Sequence, residues 1–376
     1  MEIYFFIIVT YLLLLAVLLS ERRNIAFLVI GSIAIYWGFS YINAADVPGY
    51  MNFFKYCGTG INSVSNVKDP SLLTFEKGFI YYMGWIKLLV GSDYYFYQFI
   101  TLSIEFILTY LGLKNLLGNK KDVLLFFCIF ATQLPLFIAA MRQGLVISVF
   151  IFSLSFVVKR EYLKCIILYL LATVFHSSAI FLIGFVCVYW IFWNKLSFIL
   201  LNKKFVISAF LILNLLYFTG LNLSQFMSGL FQSILGNVGH MERDYTIYAD
   251  DFSSASFGLL KLIEMDFIFI VIFFSSWIKK YVNAYYSILI YLFLIYYVLN
   301  LLVGGIVVHR LNYYLTIPYN FIVFTLLVYT MTQIFKCRKV VSVFSVMTYY
   351  TIFFMFSNLS NGRYISEFHL FDIFKI

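Results

Sequence analysis

The sequence predicts an all-α, polytopic membrane protein with about twelve transmembrane helices and one short re-entrant or interfacial segment. Three observations predict it. Of the 376 residues, 63% are hydrophobic and only 11% charged, whereas a soluble domain is about half apolar and about a quarter charged. The mean hydropathy is +0.94, an apolar excess larger than one core of this length can bury. The apolar residues also come in runs of membrane-crossing length, separated by short basic clusters. A soluble globular enzyme is excluded by these numbers.

A spanning helix needs about 17 to 25 mostly apolar residues. The candidates lie near 3–20, 24–42, 94–113, 123–140, 143–158, 162–175, 177–194, 205–221, 257–278, 285–305, 313–332 and 340–356. The first lacks the basic start and small-residue cleavage site of a signal peptide and reads as a retained span. A further apolar stretch, 78–91, is short and contains Lys87. If it does not cross, six basic clusters fall on one side: Arg22/Arg23, Lys114/Lys120/Lys121, Lys159/Arg160/Lys164, Lys195/Lys203/Lys204, Lys279/Lys280 and Lys336/Arg338/Lys339. That is the cytoplasmic side by the positive-inside tendency, and it places both termini outside. Sixteen of the 26 basic residues sit in these clusters beside only Glu21, Asp122 and Glu161. The net charge of +9 is therefore an orientation signal and not a sign of nucleic-acid binding.

The chain reads as one membrane domain, 1–376, with long extracytoplasmic loops at 43–93 and 222–256 and short outer turns at 141–142, 176 and 306–312. Five scattered cysteines show neither metal spacing nor a disulfide framework. There is no Walker A loop, dinucleotide fingerprint, zinc-protease motif or nucleophile elbow. No cofactor or metal is expected, and Asp250-Asp251 alone is a poor metal site.

Ionisable groups at membrane depth are costly and mark functional or paired positions. Four places near the outer ends of spans qualify. In loop 43–93, Asp46 precedes Tyr50 by four residues, and Glu76-Lys77-Gly78-Phe79 opens the short segment. The two carboxylates suit a general base or sugar-hydroxyl ligands, or are simply solvated acids. Arg142, in Met141-Arg142-Gln143-Gly144, lies 17 residues from Lys159, a helical rise of about 25 Å against a core of about 30 Å. Its recessed guanidinium needs an anion: a bidentate phosphate, or an intramembrane acid such as Glu105, Glu264 or Asp266. His176, in Phe175-His176-Ser177-Ser178-Ala179, is recessed by the same count. It suits a proton acceptor or phosphate ligand, or a structural turn with Ser177 as N-cap. His309-Arg310, followed by Tyr313 and Tyr314, repeats the Arg/His pairing in a second outer turn. Two arginines converging from different helices would suit a pyrophosphate; Arg310 could instead snorkel. Arg243 is a weaker candidate in loop 222–256.

At these residues the sequence resembles the EpsG/Wzy family of bacterial polysaccharide polymerases. The resemblance rests on Asp46 to Tyr50, on Glu76, Gly78 and Phe79, on Arg142 to Gly144, and on Phe175, His176, Ser178 and Ala179. It is clearest over residues 1 to 190 and continues by layout and by Arg310, Tyr313 and Tyr314. Asn43-Ala44-Ala45 stand where family members often carry an Arg before the Asp.

The resemblance implies a GT-C-like, metal-independent glycosyltransferase. It would join undecaprenyl-pyrophosphate-linked oligosaccharide repeats on the periplasmic face of the bacterial inner membrane, in O-antigen, capsule or exopolysaccharide synthesis. His176, Asp46 and Glu76 are then the candidate catalytic groups. Arg142, Arg310 and His309 would bind pyrophosphate, and Tyr50, Tyr313, Tyr314 and Arg243 the sugars. A flippase and a chain-length regulator of the same pathway are the expected partners. The alternatives are a lipid-linked oligosaccharide flippase or transporter, favoured by charges through the full bilayer depth, and a membrane O-acetyltransferase acting on the glycan.

Overall fold

The computed structural model describes residues 23–42, 46–63, 75–117, 134–200, 202–219, 259–274, 284–303 and 311–323, with isolated positions between them and the pair 368–369. The described elements are helical apart from one two-residue antiparallel strand pair, in which Tyr41 faces His369 and Ile42 faces Phe368. The chain, expected as one domain, divides into two compact units. The first holds Met1–Ser155, Leu171–His176 and Phe324–Ile376; the second holds Phe156–Leu170 and Ser177–Val323.

In the first unit, α1 is Arg23–Gly38, α2 Val47–Tyr56, α3 Lys77–Val90, α4 Tyr94–Leu116, α5 Leu134–Ala139 and α6 Met141–Val158. Helices α4 and α6 are long and apolar enough to cross a membrane. Helix α3, with 14 residues, rises only about 21 Å, against a hydrocarbon core of about 30 Å. Gly91, at φ +70°, ends α3. Asp93 then starts α4 by accepting hydrogen bonds from Tyr95 N (2.9 Å) and Phe96 N (3.3 Å), the usual N-cap arrangement.

Two buried donors close helix C-termini that would otherwise leave carbonyls unmet. Lys87 Nζ, on α3, donates to Phe54 O (2.7 Å), Lys55 O (3.0 Å) and Cys57 O (2.8 Å) at the end of α2. Gln98 Nε2, on α4, donates to Trp37 O, Gly38 O and Ser40 O, each at 3.0 Å, at the end of α1. The lysine that made 78–91 look like an imperfect span is thus a cation turned onto the negative end of a helix dipole.

Helices α4 and α6 run parallel. A Cβ on Gly144 would meet Glu105 Oε1 at 2.6 Å, and one on Gly112 would meet Phe152 Cα at 2.6 Å and Ile151 O at 2.7 Å. Glycines at both contacts let the backbones approach, as small residues do between membrane helices. The expected span near 123–140 lies partly outside the described residues. Of that span, Leu134–Ala139 is described as helix.

The chain passes from the first unit through α6 to α7, Tyr162–Thr173. In the second unit a 3-10 turn, Ser177–Ala179, precedes α8, Ile180–Leu200. Helix α9 is Lys203–Phe218, α10 Leu259–Phe274 and α11 Ala284–Leu302, and residues 311–323 are also helical. Three of the intramembrane charges lie in this unit. Lys261 Nζ is 2.8 Å from both oxygens of Glu264, which also accepts from Tyr319 OH. Asp266 accepts from Tyr297 OH (2.6 Å) and Asn214 Nδ2 (3.4 Å). Asn300 and Asn312 exchange side-chain hydrogen bonds of 3.1 and 2.8 Å. Among the described residues Cys57, Cys165 and Cys187 are free thiols.

Two substitutions test this packing by thermal unfolding in detergent. Lys87→Met leaves three carbonyls unmet and is expected to cost about 1–3 kcal/mol, with Lys87→Arg losing less. Gly112→Val forces α4 from α6 and should destabilise by about 1–3 kcal/mol; an unchanged melting temperature would contradict the close contact.

Candidate functional site

Five of the sequence-predicted residues meet in the first unit: Asp46, Tyr50, Glu76, Arg142 and His176. Asp46 lies at the start of α2 and is exposed, and Tyr50 follows one turn later and is buried. Glu76 directly precedes α3, Arg142 is the second residue of α6, and His176 ends the segment after α7. Gly78 makes the approach of these segments possible, because a Cβ there would run into the Val174 side chain and Val174 O at 2.7 Å.

The centre of the cluster is the Glu76 carboxylate. Its Oε2 accepts from Arg142 Nη1 at 2.7 Å. Its Oε1 is 3.0 Å from His176 Nδ1. The three side chains are only about a tenth exposed, at 11%, 11% and 10% for Glu76, Arg142 and His176. An ionised carboxylate only accepts hydrogen bonds, so Nδ1 carries a proton, and it is Nε2 that is left to act as a base in the neutral tautomer.

Arg142 is fixed on its other sides too. Its Nε donates to Tyr50 OH at 3.5 Å. The guanidinium lies over the Phe75 ring, 4.6 Å from the centroid, and 5.9 Å from that of Tyr50. Phe75 was not among the sequence candidates; its only signal was an aromatic directly before the acid of the loop. Only one of the five guanidinium N–H groups is spent on Glu76, through Nη1, and one on Tyr50, through Nε. The guanidinium can therefore take an anion in addition to Glu76.

Tyr50 OH is also 3.5 Å from Asp46 Oδ2. Burial pushes its phenol up to about 12, against the opposing pull of Arg142. It therefore stays neutral across the physiological range.

The arrangement changes several expectations. The anion beside Arg142 is Glu76, and not Glu105, Glu264 or Asp266. Tyr50, expected to bind sugar, is 1% exposed, with its ring against Phe75 and Phe79; its hydroxyl positions Arg142 instead. Tyr314, in the second unit, is fully buried and shares a 2.6 Å hydrogen bond with Ser178, so it offers no open ring face to a sugar. Tyr313 beside it is half-buried. Arg310, His309 and Arg243 lie outside the described residues, as does Asp250-Asp251.

The burial of the pair generates a stability prediction. Glu76→Gln leaves the Arg142 charge without its counter-ion and should cost about 3–5 kcal/mol. The double variant Glu76→Gln with Arg142→Met should lose less than the sum of the two single losses in thermal unfolding. Strict additivity would mean that the pair does not interact.

No curated protein and no solved structure matches the chain. The family model for the EpsG family matches residues 23–369, nearly the whole chain and all five clustered residues, and the protein belongs to the EpsG family.

Proposed function

We propose that this polysaccharide polymerase-like membrane protein is a glycosyltransferase that joins oligosaccharide repeats carried on a polyprenyl pyrophosphate, at the extracytoplasmic face of the membrane. The observation that carries the reading is the single carboxylate of Glu76 held between Arg142 and His176. It ties a fixed positive charge to an oriented base, the two groups that such a transfer needs.

In the reaction, an acceptor sugar hydroxyl attacks the anomeric carbon of the donor as its bond to pyrophosphate breaks. His176 Nε2 takes the hydroxyl proton, with Glu76 stabilising the imidazolium that forms. This is the role a carboxylate plays behind a catalytic histidine. Arg142 offsets the charge developing on the departing pyrophosphate, with Tyr50 and Phe75 holding its plane in place. The phosphoanhydride-activated donor supplies the driving force, so no nucleotide is needed, and arginine supplies the positive charge that a metal would otherwise bring. Asp46, exposed and bonded to Tyr50, is a positioning residue in this reading.

The same assignment places the protein in the bacterial inner membrane with its termini periplasmic. It would use undecaprenyl-pyrophosphate-linked donor and acceptor and work beside the flippase and chain-length regulator of an O-antigen, capsule or exopolysaccharide pathway. A transporter reading draws less support. Lys261 and Glu264 neutralise each other within one helical turn, and Asp266 is held by hydrogen bonds from Tyr297 and Asn214, so each has a local structural role.

The test is the polysaccharide ladder of a deletion strain complemented with variants, with membrane levels of each protein checked by immunoblot. Arg142→Ala and His176→Ala are expected to abolish long chains while single-repeat product persists. Arg142→Lys, which keeps the charge but loses the planar fork, should retain a minor fraction. Normal ladders from both alanine variants would overturn the assignment. Lipid-linked single repeats confined to the cytoplasmic leaflet of the deletion strain would indicate transport, and full-length polymer lacking acetyl groups an acetyltransferase.

A further inference from the structure

The contact between α4 and α6 contains a second polar constellation, which the reaction above does not use. Glu105 is fully buried, and neither of its carboxylate oxygens has a hydrogen-bond partner. The hydroxyls of Thr109 and Ser148 are also fully buried and also without a partner.

These groups belong to one layer of the helix pair. Glu105 lies against Gly144, and Gly112 against Ile151, a constant offset of 39 residues along two parallel helices. The same offset sets Thr109 opposite Ser148, one turn beyond Glu105. No described cation bonds the carboxylate: Arg142 meets Glu76, and Lys87 the end of α2. The titratable neighbour on α3 is Tyr82, whose hydroxyl donates to Thr101 Oγ1 at 2.9 Å, one turn before Glu105.

We propose that α4 and α6 hold a small monovalent cation between them, with the Glu105 carboxylate and the hydroxyl oxygens of Thr109 and Ser148 among its ligands. Three considerations select that occupant. The unmet atoms are all oxygens, the ligands that hard cations prefer. One carboxylate balances one positive charge, whereas a divalent ion would leave a net charge buried at membrane depth. A proton on Glu105 would create an O–H needing an acceptor of its own and would leave both hydroxyls unmet, and water alone would leave the carboxylate charge uncompensated.

The absence of a side chain at Gly144 lets the Glu105 carboxylate lie against the backbone of α6, where a Cβ would meet its Oε1 at 2.6 Å. Because Gly144 is two residues from Arg142 on the same helix, an ion there would brace the start of α6. The inference does not depend on the polymerase reading, and its readout is folding rather than activity.

The experiment is thermal unfolding of the purified full-length protein in detergent, at constant ionic strength, with sodium chloride replacing choline chloride. The wild-type midpoint is expected to climb with the logarithm of sodium concentration, as for any ligand bound to the folded state alone. Glu105→Gln should remove that dependence. Thr109→Val and Ser148→Ala should each raise the sodium concentration needed by about tenfold. A wild-type midpoint that is the same in sodium and choline would overturn the proposal without recourse to any variant. A midpoint that follows pH and ignores sodium would identify a protonated carboxyl instead and would overturn it equally.

Discussion

The structure of the first unit depends on how a guanidinium is kept charged where little water reaches it. Arg142 cannot lose its proton, so the fold must bring an anion to it, and the anion it brings is Glu76. That requirement draws three separate segments together: the start of α3, the start of α6 and the end of the segment after α7. Once they meet, the second oxygen of the same carboxylate is available to His176. Stability and chemistry therefore share one side chain. A cluster built only for stability could have used both oxygens on the arginine.

Around this pair, the outer-loop segments are fixed by donors reaching across to neighbouring helix ends. Lys87 gathers three carbonyls of α2, and Gln98 gathers three at the end of α1. Each contact ties the end of one helix to the flank of another. Helix α2 thereby keeps Tyr50 beneath Arg142, and α3 keeps Glu76 beside it. The rigidity of the site is borrowed from main-chain ends that have no part in the chemistry.

Much of this was legible in the sequence wherever the information is local or sets a length. The ends of the apolar runs place Arg142 at a helix start and His176 in a turn, and both side chains are buried. Asp46 and Tyr50, four apart, fall on one helical face as expected. The pairing of Glu76 with both was not legible, because partners 66 and 100 residues away leave no spacing signal. Lys87 was read as an obstacle to crossing because sequence shows a charge and not the direction it turns. The cover over the Tyr50 ring is not legible either, because an aromatic four residues from an acid looks the same whether its ring is open or buried. The orphaned layer at Glu105 is a property of helix register, which two stretches of apolar sequence do not reveal.

Gly78 has a consequence of a different kind. The separation between the acid and the imidazole is set by how closely α3 can approach the backbone at Val174, and that approach needs a missing side chain rather than a present one. The site can therefore be lost through a methyl group at a position that carries no charge, makes no hydrogen bond through its side chain and would touch no substrate. In a family compared by its arginines and histidines, the silent determinant of whether they can act together is a residue with nothing to contribute except its size.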